Sequence, residues 1–244
     1  MIRQTFQAII LLAIAAPVAA QTGTPAATMA KPAKTLKVLQ PGEIRPELVL
    51  AAPPARGSAT EGTELAAVRA LIASAMPARM EQARWDDVHE DPSIFDTAIG
   101  GGFEAKKFTA TYELLSLVNN DTGIVTNVAK KIFNRTRPWG VDVTLPNCDA
   151  GRGKQPVGSY PSGHSTLAFS VGYALAQLMP DKAPVILARA KDYALSREYC
   201  GVHFASDSAA SQVLATLATA RILAAPALQP KIAAARAELK AAGF

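Results

Sequence analysis

Apolar residues recur along this chain at helical intervals. Phe108, Tyr112, Leu115 and Val118 share one face, and Ile124, Val128 and Ile132 share another further on. Between the two sets, Asn119-Asn120-Asp121 predicts a break. Glu64 to Ala75 reads as an apolar helix stopped near Pro77, and helical patterns return over Ser165–Leu178, Pro184–Arg197, Ser208–Leu223 and Lys231–Ala241. No strand-like alternation of any length occurs, and no internal repeat. The pattern predicts an all-α fold, a single-domain helical bundle over residues 63–244.

The N-terminal residues follow a different rule. Arg3 precedes an apolar run from Ala8 to Ala16, and Val18-Ala19-Ala20 places small residues before Gln21. Residues 1–20 therefore read as a secretory signal peptide cleaved after Ala20, because the run is well short of the roughly 18 apolar residues of a membrane span. Residues 21–62 hold Pro25, Pro32, Pro41, Pro46, Pro53 and Pro54 and read as a mobile or loosely packed Pro/Ala-rich leader. Export to the periplasm suits the cysteines. Cys148 and Cys200 are the only two in the sequence, and an oxidising compartment favours a bridge between them over two unrelated buried thiols.

Composition narrows the function classes. The chain has 244 residues, is 49% hydrophobic and 18% charged, and so can bury a core. Its net charge of +5 is mild, and no long run of like charges stands anywhere. A polymeric nucleic acid is excluded as a ligand on that ground, whereas a small anion is not. No second run matches the apolarity of the first twenty residues, which argues against stable membrane insertion.

The connection from Pro138 to Pro161 is long and glycine-rich, and structureless stretches of that kind tend to be functional. Lys130 and Arg137-Pro138 lie before it, at the end of a helical pattern. After it, Gly158-Ser159-Tyr160-Pro161-Ser162-Gly163-His164 opens a helix: Ser162 is an N-cap type, and the Gly163 turn exposes N–H groups suited to phosphate. His164 falls on the apolar stripe of Val171, Leu175 and Leu178. Arg197 continues the stripe of Ile186, Ala190 and Tyr193, and Asp207 starts the stripe of Ala210, Leu214 and Leu217. Charges on apolar faces are costly unless paired, so Arg197, His203 and Asp207 point to a site.

Lys130 with Arg137-Pro138, then Pro161-Ser162-Gly163-His164, then Ser196-Arg197 with His203 and Asp207, resemble the tripartite signature of the type 2 phosphatidic acid phosphatase superfamily. That superfamily includes the vanadium-dependent haloperoxidases. Gly158 to His164 and the Cys200-Gly201 context look closer still to bacterial class A non-specific acid phosphatases, over about Glu64 to Phe244. Ser165 departs from the Thr usual there, and the leader is longer than expected.

The resemblance implies a helical bundle of that superfamily's kind and an acid phosphatase acting on small phosphomonoesters. His203 would be the nucleophile, with Asp207 orienting it and His164 as general acid and base. Lys130, Arg137, Arg197, the Ser162 hydroxyl and the Gly163 N–H would hold the phosphoryl oxygens. No metal and no other cofactor is required, and the acidic run Asp86-Asp87-Val88-His89-Glu90-Asp91 reads as a solvated turn. Trp139 reads as packing. The alternatives are a vanadate-dependent haloperoxidase and a catalytically silent periplasmic phosphate-binding protein. Oligomeric state is not legible, although relatives of this kind suggest a homodimer.

Overall fold

The computed structural model describes Met1 and residues 34–148 and 156–244. The signal peptide, residues 21–33 of the leader, and Gly151 and Gly153 of the long connection lie outside the described residues. Among the described residues the architecture is all-α, with no strand beyond an isolated bridge between Thr136 and Val157. The helices are α1 (Pro46–Val49), α2 (Ala59–Ala73), α3 (Pro77–Val88), α4 (Asp96–Ile99), α5 (Thr109–Phe133), α6 (Pro138–Val141), α7 (Gly163–Leu178), α8 (Ala183–Tyr199), α9 (Ala205–Leu223) and α10 (Gln229–Ala241). No single described helix is long and apolar enough to cross a membrane.

Helix α7 is the centre of the bundle and packs on α5, α8 and α9. Its sequence permits this because small residues alternate with large ones: Ala168 and Ala174 sit among Leu167, Val171 and Leu175, all buried. Gly172 is a point of close approach. A Cβ there would stand 3.2 Å from Ala190 Cβ of α8 and 3.2 Å from the Phe95 ring, so these neighbours would have to give by a few tenths of an ångström.

Several stretches depart from the sequence expectation. Asn119-Asn120-Asp121 does not break α5, which runs through it for 25 residues. Asp121 is fully buried, and its carboxylate accepts the backbone N–H groups of Lys37, Val38 and Leu39 at 2.8–2.9 Å. A polar residue that ends an isolated helix is here satisfied by another part of the chain. The same bonds correct the leader, which from Lys34 onward belongs to the compact unit. Leu39 and Leu50 enter the core, the Tyr160 hydroxyl donates to Ala51 O at 2.6 Å, and α2 already begins at Ala59 behind the Ser58 N-cap.

Pro77 likewise starts a helix rather than only stopping one. It occupies the first turn of α3, where its missing N–H costs nothing. The end of α3 carries the first part of the acidic run, and there Asp86 and Asp87 are buried rather than solvated. Asp86 pairs with Arg189 and accepts from Ser196, and Asp87 pairs with Arg197. Trp139 packs beside Leu65, Val68, Ala83 and Cys200, in keeping with its packing role.

Cys148 and Cys200 are disulfide-bonded with a Cα–Cα separation of 4.9 Å. The bond holds the chain after α6 against the end of α8, beside Gly201, where φ is +64° and a Cβ would fall 2.5 Å from Pro146 O. Closing a loop of this length is worth roughly 4 kcal/mol on the chain-entropy argument, or about 10 °C in Tm for a chain of this size. Calorimetry with and without reductant checks this, and an unchanged Tm would contradict it.

Candidate active site

Helix α5 ends at Asn134, which takes the left-handed conformation (φ 42°, ψ 39°) and returns its N–H to Lys130 O. The chain then runs extended, and Arg137 N donates to Pro156 O at 2.7 Å while Ser159 N donates to Arg135 O at 3.0 Å. This short pairing sets the Lys130–Arg137 segment beside the chain that enters α7. Ser162 caps α7 by accepting from Ser165 N at 3.3 Å and Ser165 Oγ at 2.9 Å. Ser162 N in turn donates to Asp207 O of α9 at 3.3 Å. Three segments distant in sequence thus meet at two helix starts.

His203 is 2% exposed and lies between a carboxylate and a guanidinium. Its Nδ1 is 3.2 Å from Asp207 Oδ2, and its Nε2 is 3.1 Å from Arg137 Nη1. Since Arg137 can only donate, Nε2 carries the lone pair and Nδ1 the proton, which is the neutral tautomer. Burial, followed by the charges of Arg137, Lys130 and Arg197, holds the pKa well below the usual histidine range. A neutral imidazole with its free nitrogen turned toward cations is a nucleophile for a phosphoryl group.

Around it stand the cations. Lys130 Nζ donates to Gly158 O, and its Cε lies 3.9 Å from where a Cβ on Gly163 would stand. Burial and then the neighbouring Arg137 bring its pKa down to about 7. Arg137 also donates to Val202 O at 3.1 Å. Arg197, 2% exposed, is held by Asp87, and its Nε is buried with no hydrogen-bond partner. A buried N–H without a partner is costly, and an anion in the cradle is one way to satisfy it.

His164 is positioned from α3. Its Nε2 is 3.1 Å from Asp87 O and 3.3 Å from Glu90 Oε1, and its ring stacks on Tyr193 at 6.0 Å between centroids. Among the described residues no group of three or more His, Cys, Asp or Glu side chains is arranged to hold a metal.

The structure therefore brings together the predicted Lys130, Arg137, Arg197, His203 and Asp207, with Ser162, Gly163 and His164 at the neighbouring helix start. The partner of Arg197 is Asp87, and the partner of Asp207 is Arg135 at 2.7 Å. Neither Asp87 nor Arg135 stands out as a site residue in the sequence. For Arg135 the one available signal is a second arginine two positions before Arg137. For Asp87 there is none, because its partner lies 110 positions away.

Residues 110–229 match the PAP2 superfamily. The chain is 46% identical to an acid phosphatase of Zymomonas mobilis over 92 residues, which cover 36% of this chain and 34% of that one. It is 30% identical to a non-specific acid phosphatase of Salmonella typhi over 168 residues, covering 64% and 66%, and 30% identical to one of Providencia stuartii over 148 residues, covering 60% of each. The chain thus spans between about a third and two thirds of the length of these curated relatives. A transmembrane PAP2-type phosphatidylglycerolphosphate phosphatase from Bacillus subtilis shares the fold, with a TM-score of 0.50 and 21% identity over 68% of this chain and 86% of that one.

Proposed function

The chain carries a PAP2 superfamily domain, and on that footing we propose that it is an exported acid phosphatase hydrolysing small phosphate monoesters through a phosphohistidine on His203. The observation that carries this reading is the neutral His203, its Nε2 turned toward Arg137 and its Nδ1–H toward Asp207. Relatives named acid phosphatase favour ester hydrolysis over vanadate-dependent halide oxidation. Export to the periplasm rests on the pattern of residues 1–20 and on the bonded cysteine pair.

In the first step Nε2 of His203 attacks phosphorus and the bond to the ester oxygen breaks. Protonated His164 gives its proton to that oxygen, so an alcohol departs. The imidazole, now positive, is stabilised through Nδ1–H by the Asp207 carboxylate. Lys130, Arg137 and Arg197, with the Ser162 hydroxyl and the Gly163 N–H, take up the charge that builds on the phosphoryl oxygens. In the second step neutral His164 removes a proton from water as its oxygen attacks phosphorus. The N–P bond breaks, phosphate leaves, and His203 is neutral again.

Hydrolysis of p-nitrophenyl phosphate and of alkyl phosphates with EDTA present tests the reading. Both are expected to be cleaved, and vanadate should inhibit by occupying the same cradle. Lys130 is charged below about 7 and loses its proton above it, so kcat/KM should fall as pH rises through that range. No hydrolysis of any ester, or a kcat/KM still climbing above neutrality, would contradict it.

A further inference from the structure

Arg135 has no part in the chemistry just described, yet it bonds the carboxylate that holds the nucleophile. Its side chain is 3% exposed. Nη1 donates to Asp207 Oδ1 and to Ser206 Oγ, each at 2.7 Å, and Nη2 donates to Glu64 Oε2 at 2.5 Å. The guanidinium lies over the Phe204 ring, 4.0 Å from its centroid. Glu64 accepts a second bond from Ser206 N at 3.3 Å. It belongs to α2, outside the residues that match the superfamily.

Asp207 poses an electrostatic problem. It is fully buried, and a buried carboxylate needs a compensating charge. His203 cannot supply it before the reaction, because only neutral imidazole attacks phosphorus. Arg135 is the cation in contact with Asp207. It takes Oδ1, which leaves Oδ2 to accept from Ser159 Oγ, Phe204 N and His203 Nδ1. The division of labour between the two oxygens fixes the carboxylate plane, and with it the tautomer and tilt of His203.

We infer that Arg135, clamped by Glu64 of α2, is a positioning residue that keeps Asp207 ionised and oriented toward His203. The inference rests on the phosphohistidine reading. It extends the working site to a helix that precedes the superfamily match, and it separates two kinds of arginine: Arg137 and Arg197 meet the phosphoryl group, whereas Arg135 acts only through Asp207.

A double-mutant cycle on the full mature protein tests it, using p-nitrophenyl phosphate, with thermal unfolding to establish that each variant is folded. Arg135→Gln is expected to slow phosphoenzyme formation by about 10- to 100-fold, as loss of an orienting partner of a working histidine commonly does. Inhibition by vanadate should stay within about threefold of wild type, since uncoupled contacts leave one another nearly untouched. Arg135→Lys, which keeps the charge, should recover most of the rate. In an Asp207→Asn background the further change Arg135→Gln should cost less than about threefold, because the group it serves is gone. If Arg135→Gln does not fold, Glu64→Gln takes its place, with a smaller loss in the same direction that also vanishes beside Asp207→Asn. An equal loss in both backgrounds, or vanadate binding weakened in proportion to the rate, would overturn the inference and make Arg135 a strut or a phosphate ligand. A wild-type protein that cleaves no ester would instead overturn the phosphatase reading.

Discussion

His203→Ala is expected to lose turnover by on the order of 10⁴-fold or more, since a group that forms the covalent bond has no substitute nearby. His203 fits this role because it is buried, neutral and fixed at both nitrogens. The only other histidines are His89 and His164. His89 stacks on Trp85 and bonds Trp85 O, and His164 is held by Asp87 O and Glu90. The variant should also lose the phosphoenzyme while still binding vanadate, because the cations of the cradle remain. Single-turnover assays with acid-labile phosphate as the readout check both parts. A variant that still turned over within about tenfold of wild type would remove His203 from the chemistry.

The second large effect separates the two histidines of the site. A general acid matters in proportion to the basicity of the group it protonates. Alkoxide is strongly basic, whereas p-nitrophenolate leaves with little help. His164→Ala is therefore expected to cut phosphoenzyme formation from an alkyl phosphate by about 10²- to 10⁴-fold, and from p-nitrophenyl phosphate by less than about tenfold. Because the proposed mechanism also has His164 activate water, breakdown of the phosphoenzyme should slow, so that a burst of p-nitrophenol precedes the steady state. Pre-steady-state rates for the two esters decide the matter. Equal losses would take His164 out of the leaving-group step.

The motif residues were legible because each breaks a local rule. Arg197 and Asp207 are charges on otherwise apolar helical faces, and Ser162-Gly163 is a helix start with exposed N–H groups; the structure buries the first two and puts the third at the head of α7. The stripes of α7 and α8 are faces that pack, whereas on α9 Ala210 and Leu214 are buried but Leu217 faces outward, and on α5 Val128 and Ile132 are exposed.

What escaped the sequence depends on partners far along the chain. Asp121 ends a helical pattern by its own preference, but the N–H groups of Lys37 to Leu39 satisfy it inside an unbroken α5. Asp86 and Asp87 look like a solvated turn until Arg189 and Arg197 are brought against them by α8. The prolines of residues 41–54 suggest looseness. Yet a stiff chain loses less entropy on ordering, so it packs readily once Leu39 and Leu50 have apolar neighbours. Glu64, one of many polar positions on α2, gives no hint from its own segment that it ends on Arg135.

The central claim is that phosphate passes through His203. Rapid quenching at alkaline pH during hydrolysis, followed by peptide mapping by mass spectrometry under conditions that spare phosphohistidine, tests it directly. The account predicts phosphate on the peptide carrying His203, at a level that rises in His164→Ala and disappears in His203→Ala. Phosphate on any other side chain, or its absence from His164→Ala during a measured p-nitrophenol burst, would contradict it.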